Sequence, residues 1–409
     1  MTLFEELKWR GLIKDYAGDD LEDKINNEKL TFYWGTDPTA DSLHIGHYSS
    51  LITAKRLAMH GHHPILLVGG GTALIGDPRP TSERQIIPYE TVLKNIDGIR
   101  NQIDRILDGK AELVNNYDWL KDMDLITFLR DVGKYININY MLNKDIIRRR
   151  LDTGITFAEF TYTLMQGYDF MHLFETENCV LQAAGSDQWG NITTGVDLIN
   201  KKLGKTAYAF TMPLILDANG NKFGKTEGNA LWLDKNKTSS YELYQYLINA
   251  DDSMVEEYLK VYTFLTPEEI MDVVKKHNEA PHLRLGQKIF AREFITDLHG
   301  KDEYEKAVDI SEKLFSGDIK SISSKDLLIG LKGVPSCDIE SCTLIDLLVN
   351  NNICSSKREA REFLSSNSIS INGDIVNDEN MMIDKNIAID GQFIVIRRGK
   401  KKYFIGNFK

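Results

Sequence analysis

Leu30-Thr31-Phe32-Tyr33-Trp34, followed by Gly35-Thr36-Asp37-Pro38 and then Thr39-Ala40-Asp41-Ser42-Leu43-His44-Ile45-Gly46-His47, is the stretch on which the fold turns. An apolar, aromatic-rich run ends in a turn cluster and opens into a helical stretch from about Leu43 to His60. The theme recurs. Pro64-Ile65-Leu66-Leu67-Val68 runs into Gly69-Gly70-Gly71, as a buried parallel strand does. Cys179-Val180-Leu181-Gln182-Ala183 leads into Gly185, and Phe210 to Leu216 repeats the pattern. Strands alternating with helices predict an α/β domain with a mostly parallel sheet over residues 1–228. The mainly helical segment from about 78 to 170 reads as an insertion into it.

Beyond Thr226 the texture turns helical. Ser239-Ser240-Tyr241-Glu242 and Thr266-Pro267-Glu268-Glu269 are capping boxes, the second with proline at the first helical position. They predict a helical domain over 229–325. Ser316 to Asp338, rich in Ser, Gly, Lys and Asp, reads as a linker. Residues 340–409 follow a third grammar. Ser356-Lys357-Arg358-Glu359 opens a helix to about Leu364, Asn372-Gly373 is a strong hairpin signal, and Asp390-Gly391 is a second one. This is a small α+β module.

The chain has 409 residues, 42% apolar and 27% charged, as ordinary globular proteins do. No apolar run approaches the roughly 18 residues a spanning helix needs, and the N-terminus lacks a signal-peptide layout. Cys179, Cys337, Cys342 and Cys354 form no CxxC pair, which fits free thiols in a reducing cytoplasm. His60-Gly61-His62-His63 reads as a turn, so no dedicated metal site is expected. A net charge of −11 argues against indiscriminate nucleic-acid binding. From Ser355 to Lys409, however, ten Lys/Arg face seven Asp/Glu, a net of +3 that leaves −14 on the rest. Arg397, Arg398, Lys400, Lys401 and Lys402 concentrate that charge.

His44 and His47, three apart at a predicted helix start, project from one face where backbone N–H groups and the dipole already favour anions. Their imidazoles suit phosphate oxygens whose charge grows in a transition state. Lys222-Phe223-Gly224-Lys225-Thr226 follows a turn-forming Asp217-Ala218-Asn219-Gly220. Two lysines and a hydroxyl on a glycine-containing loop suit departing pyrophosphate. Each signature alone is weak; together they point to ATP and to activation of a carboxylate by adenylation. Tyr162, Gln166 and Asp169 share one face of a predicted helix at i, i+4 and i+7, and are poor core residues for such a stripe.

These signatures resemble the HIGH and KMSKS motifs of class I aminoacyl-tRNA synthetases, and the chain as a whole resembles the bacterial tyrosyl-tRNA synthetases. Pro38 through His47 matches that family's first signature. Leu74-Ile75-Gly76-Asp77-Pro78, Asn116-Tyr117-Asp118-Trp119, Phe128 through Lys134 and Gly185-Ser186-Asp187-Gln188-Trp189-Gly190-Asn191 match as well. The resemblance spans essentially the whole chain. It implies a Rossmann-type nucleotide-binding catalytic domain with a helical insertion, an all-helical middle domain and an S4-like C-terminal domain.

The resemblance further implies that Tyr33 and Asp169 meet the substrate phenol, an arrangement that satisfies a hydroxyl as both donor and acceptor. Phenylalanine would leave both unpaired. Asp77, Tyr162 and Gln166 are then expected at the α-ammonium, with Gln182 and Gln188 lining the tyrosine side. Gly35, Asp37, Gly185 and Asp187 would take the nucleoside. Thr39, His44 and His47 would hold phosphate, and Arg84, Lys222, Lys225 and Thr226 the pyrophosphate. Lys357, Arg358, Arg361 and the basic tail are expected on RNA, while Arg148-Arg149-Arg150 is a second basic cluster that suits either a tRNA acceptor end or solvent. Partners implied are L-tyrosine, ATP with its Mg²⁺, tRNA(Tyr) and a second copy of the chain, in the cytoplasm and off the membrane.

Two positions depart from the family pattern. Trp34 stands where many relatives have cysteine, and Pro78-Arg79-Pro80-Thr81-Ser82-Glu83-Arg84 lacks the lysine often found before Ser-Glu-Arg. Tryptophan activation on the same fold, and an RNA-binding protein that has lost catalysis, are the competing readings. The Tyr33/Asp169 pair speaks against the first, and the intact phosphate signatures against the second.

Overall fold

A computed structural model describes residues 1–78, 87–225, 230–399 and 402–408, without the side chains of residues 145 and 146. The chain divides into two units, Met1–Thr238 with Leu247–Leu298, and Ser239–Tyr246 with His299–Lys409.

In the first unit, six strands form one sheet: β1 (Asp15–Ala17), β2 (Thr31–Thr36), β3 (His63–Val68), β4 (Glu112–Asn115), β5 (Cys179–Gly185) and β6 (Tyr208–Met212). Their order is β1-β6-β5-β2-β3-β4, parallel throughout except for β1 against β6. The chain leaves β2 toward β3 on one side, while β5 flanks β2 on the other. That makes the β2/β5 boundary the switch point, where an open parallel sheet leaves a crevice at its C-terminal edge. Burial on both faces explains the continuous apolar runs: five of the six β3 residues are buried, and all five of β6.

Helix α1 (Ile45–Met59) follows β2, α2 (Leu125–Asp131) and α3 (Asp145–Leu151) follow β4, and α4 (Phe157–Glu177) leads into β5. Then come α5 (Trp189–Leu203), α6 (Val255–Tyr262) and α7 (Leu285–His299). The helix expected from about Leu43 starts at Ile45, because the His44 side chain serves as its N-cap. The segment 78–170 is mostly helical but also supplies β4, an edge strand of four residues and too short to signal itself in sequence. Both expected capping boxes form: Thr266 and Glu269 bond reciprocally, as do Ser239 and Glu242. The His60–His63 turn also forms, with Gly61 at φ +89°.

The second unit contains α8 (Lys301–Ser316), a short helix Ser324–Gly330 and α9 (Lys357–Ser365). Its five-stranded sheet comprises β7 (Ser336–Ile339), β8 (Ile369–Ile371), β9 (Asp374–Ile375), β10 (Phe393–Arg398) and β11 (Lys402–Phe408), in the order β9-β8-β10-β11-β7. The Asn372-Gly373 hairpin joins β8 to β9, with Asn372 at φ 49° and Gly373 at φ +92°. Asp390-Gly391 also turns, closed by an Ile389–Phe393 bridge. The linker reading of Ser316–Asp338 is overturned. Ile319, Ile322, Leu327 and Leu331 pack with Ile310, Leu314, Phe393, Val395 and Ile405 in one buried cluster. Polar residues dominate that stretch by number, but its apolar residues recur every three to five positions, and tertiary burial outweighs composition.

Candidate active site

The crevice at the switch point is a cavity of about 330 Å³, within the range of small-molecule sites. All seven residues expected at tyrosine line it: Tyr33, Asp77, Tyr162, Gln166, Asp169, Gln182 and Gln188. So do Gly35, Asp37, Gly185, Asp187, Thr39, His44, His47 and Lys222. Lys225 is not among the lining residues; it forms a β-bridge with Ala230. Arg79, Arg84 and Thr226 lie outside the described residues. Trp34 is buried and lines the cavity with its ring 6.2 Å from His47.

Tyr33 on β2 and Asp169 on α4 lie at the floor. The buried Tyr33 hydroxyl makes no hydrogen bond of sound geometry, although Gln182 stands near it, and the Gln166 and Gln182 carbonyl oxygens are likewise buried without partners. Burial, and then the Asp169 charge, hold the Tyr33 phenol well above its ordinary pKa, so it stays protonated. Asp169 is oriented from both sides: Asn116 donates to Oδ2 at 2.9 Å and Trp119 Nε1–H to Oδ1 at 2.8 Å. Burial still pushes its carboxyl up to about 7; the two donors pull it down, and the Asp37 charge adds to the rise.

From Asp169 a hydrogen-bond chain runs across the pocket. Asn116 also donates to Thr72 Oγ1 at 3.0 Å, Thr72 donates to Asp37 Oδ1 at 2.8 Å, and the Tyr162 hydroxyl donates to Asp37 Oδ2 at 3.0 Å. Since the Tyr162 proton is committed to Asp37, its oxygen presents only lone pairs to the cavity. Gly69 is required here, as a Cβ would sit 2.1 Å from Asp37 Oδ1. Asp77 accepts from Gln188 at 2.9 Å and from Asn191 at 3.1 Å.

Sequence reasoning assigned no role to Asn116, Trp119, Thr72 or Asn191. Asn116, Trp119 and Asn191 stood in recognised motifs, but nothing in one dimension names their partners. Lys144 was also missed. It donates to the Gly190 carbonyl at 2.5 Å and Thr194 Oγ1 at 2.6 Å, and burial lowers its pKa to about 7.

On the phosphate side, the imidazoles are set by the start of α1. His44 Nδ1 accepts the Gly46 N–H at 3.0 Å, and His47 Nδ1 accepts the His44 N–H at 3.3 Å. Each ring therefore carries its proton on Nε2, so the free nitrogen is a donor. The rings stack at 3.9 Å. Burial, then the His44 charge, takes His47 down to about 3; burial and Lys225 lower His44. Both are neutral donors at pH 7. Phe223 anchors the second signature by packing against Tyr258, Tyr262 and Phe290.

Of the six described basic residues of the second unit that are expected on RNA, four are engaged. Lys357 pairs with Asp346 at 2.9 Å, Arg358 with Glu362 at 3.3 Å and Arg361 with Glu379 at 2.6 Å. Arg398 donates to the Ile353 carbonyl and lies over the Phe363 and Phe404 rings. Arg397 forms no ion pair with any described residue, its guanidinium lying beside Gly317. Lys402 is exposed, and Lys400 and Lys401 are outside the described residues. Arg150 is not a surface cation: it makes a buried two-pronged bond to Glu159 at 3.1 and 3.0 Å. Arg148 and Arg149 are exposed.

A switch-point cavity floored by polar groups and edged by imidazole donors and Lys222 fits a class I tRNA synthetase. The family model for class I tRNA synthetases (W and Y) matches residues 25–316, and the chain belongs to that family. Of its two amino acids the similarity is to the tyrosine side. The chain is 47% identical, over the full length of both, to tyrosine--tRNA ligases of Streptococcus agalactiae serotypes Ia and V. A tyrosine--tRNA ligase C-terminal domain model matches residues 326–406. Among solved structures, a C-terminally truncated mitochondrial tyrosyl-tRNA synthetase of Aspergillus nidulans superposes with TM-score 0.68 at 34% identity, covering 77% of this chain and 94% of that one. The chain is a member of the tyrosine--tRNA ligases.

Proposed function

We propose that the cavity holds L-tyrosine and MgATP together, forms tyrosyl-adenylate with release of pyrophosphate, and passes the tyrosyl group to the terminal ribose of tRNA(Tyr). The observation that carries this reading is the floor, where an unpartnered buried hydroxyl and an oriented carboxylate match the two hydrogen-bonding capacities of a phenol. Tyr33 would donate to the phenol oxygen and Asp169 accept its proton. Tyr162, presenting lone pairs, accepts from the α-ammonium with Asp77 and Gln166. Gln182 and Gln188 line the remaining wall. Gly35, Asp37, Gly185 and Asp187 face the nucleoside.

The tyrosine carboxylate attacks the α-phosphorus, the bond to the β-phosphate oxygen breaks, and pyrophosphate leaves with its electron pair. The nucleophile is already ionised, so the site supplies position and charge rather than a base. Neutral His44 and His47 donate Nε2–H to phosphate oxygens as their charge grows, with Thr39 beside them. Arg84, Lys222 and Lys225 neutralise the pyrophosphate, and the Thr226 hydroxyl donates a hydrogen bond to it. Mg²⁺ enters with ATP. In the second step the ribose hydroxyl attacks the anhydride carbonyl, loses its proton, and AMP departs.

In this reading residues 1–228 are catalytic, 229–325 a helical domain and 340–409 an S4-like tRNA-binding domain. RNA contacts fall to Arg397, Lys402, Lys400 and Lys401, and to Lys357, Arg358, Arg361 and Arg398 where they exchange an internal partner for phosphate. A homodimer is supported by six exposed large apolar residues between 125 and 157: Leu125, Ile126, Leu129, Ile138, Leu151 and Phe157, each 48–74% exposed. No helix among the described residues is long and apolar enough to cross a membrane; the enzyme is assigned to the cytoplasm, where its tRNA would be. Tyrosine-dependent exchange of labelled pyrophosphate into ATP, run beside tryptophan, tests the reading. Exchange with tyrosine alone is expected, and a folded protein giving none would sink it.

A further inference from the structure

Residues 230–238 cross the start of α1 as a strap. The Ile45 N–H donates to the Leu231 carbonyl at 2.9 Å, the Leu233 N–H to the Leu43 carbonyl at 2.8 Å, and His44 and Trp232 form a β-bridge. At its near end the strap grips the second signature, for the Leu231 N–H donates to the Gly224 carbonyl at 3.0 Å and Lys225 bridges Ala230. Gly224 approaches so closely that a Cβ there would lie 1.8 Å from Ile45 Cγ2. At its far end, Lys237 pairs with Asp41 of the first signature and lies 5.3 Å from the Trp232 ring centre, while the Trp232 N–H donates to Thr238 Oγ1 at 2.9 Å. Trp232 itself meets the His44 imidazole edge-on at 6.5 Å and 62°.

We propose that Trp232 is a positioning residue for His44, and that the strap makes the two phosphate-facing signatures one mechanical piece. The imidazole has few restraints of its own. Its Nδ1 is tied to the adjacent Gly46 N–H, a bond that fixes the tautomer but leaves the ring plane to its neighbours. Those neighbours are His47, stacked on it, and Trp232, in a T-shaped contact with it. An oriented donor is worth far more at a developing charge than one that must reorganise. The indole thus acts on the adenylation step through His44, without touching the substrate. Trp232 lies outside the residues that line the cavity.

This inference rests on the adenylation reading, and the experiment separates the two. In the full-length enzyme, pyrophosphate exchange is measured for wild type, Trp232→Ala, Trp232→Phe, His44→Asn and the double variant Trp232→Ala/His44→Asn. Trp232→Ala should lower kcat by about tenfold or more, part of the ~10²–10³-fold that loss of a transition-state donor costs. The KM for tyrosine should move less than about threefold, and Trp232→Phe, which keeps a ring edge, should recover most of the rate. In the double variant the loss should equal that of His44→Asn alone within about twofold, because the indole has no imidazole left to hold. Losses that multiply instead, or a loss confined to the tyrosine KM, would overturn the proposal. Should Trp232→Ala fail to fold, Trp232→Leu carries the same cycle. A wild-type enzyme without exchange would remove the adenylation reading itself.

Discussion

At neutral pH the Asp169 carboxyl stands near its midpoint, because burial lifts it to about 7. Only the ionised form accepts the phenol proton, so binding tyrosine below that pH expels a proton. Affinity therefore rises as pH climbs toward about 7 and levels off above it. The KM for tyrosine should fall by about tenfold per unit on the acid side, and Asp169→Asn should flatten the profile. Tyr33 is tested by its own hydroxyl. Tyr33→Phe removes one polar group that phenylalanine leaves unpaired, worth about 1–3 kcal/mol. The ratio of kcat/KM for tyrosine over phenylalanine should drop by about 10- to 100-fold, read by exchange with each amino acid. Asp169 was legible because, with Tyr162 and Gln166, its type is wrong for a core stripe, whereas Tyr33 was named by the family resemblance. Asn116 and Trp119, which orient Asp169, were not legible, since an amide 53 residues from its carboxylate carries no mark of it.

At the scale of the element, α1 shows what a sequence pattern conceals. Histidine is not a usual N-cap residue, so His44 signalled phosphate chemistry and hid its structural task. The two roles separate by substitution. His44→Asn keeps an acceptor for the cap and should unfold near the wild-type temperature, whereas His44→Ala should lose about 1 kcal/mol as well. Both should be deficient in exchange. Helices α3 and α4 give a second case. Arg148-Arg149-Arg150 reads as one basic cluster, but helical phase turns only Arg150 inward, onto Glu159. Arg150→Ala should cost about 3–5 kcal/mol in urea unfolding, because it strands a buried carboxylate; exposed Arg149→Ala should stay within about 0.5 kcal/mol. The run of cations was visible, and its division between core and surface was a matter of register.

For the whole molecule, the exposed apolar residues from Leu125 to Phe157 are the ground of the proposed self-association. Ile126→Asp with Phe157→Asp should convert dimer to monomer in sedimentation, and a wild type that sediments as monomer would end that proposal. Charging of tRNA depends on the second unit in the same reading. Arg397→Ala, removing a guanidinium that pairs with no described acid, should lower charging more than exchange and reduce the salt slope by about one phosphate contact. Charge asymmetry of the tail was plain from composition. That Lys357 and Arg361 are already balanced by carboxylates was not, because Asp346 and Glu379 reach them through the fold, whereas Arg358 meets Glu362 one helical turn away.

The amino-acid sequence by itself determined the alternation of strand and helix, the two phosphate signatures, the polar stripe Tyr162/Gln166/Asp169 and the membership those motifs imply. Each is written locally, in residue type and spacing, and local pattern is what periodicity, turns and caps express. Only the tertiary structure decided which groups face one another. It ran a hydrogen-bond chain from Trp119 to Tyr162 through residues of four separate segments, folded the supposed linker into a core and strapped one signature to the other. Those outcomes depend on contacts between residues tens to hundreds of positions apart. Such contacts are selected by burial and hydrogen-bond satisfaction in three dimensions, and no local pattern encodes them.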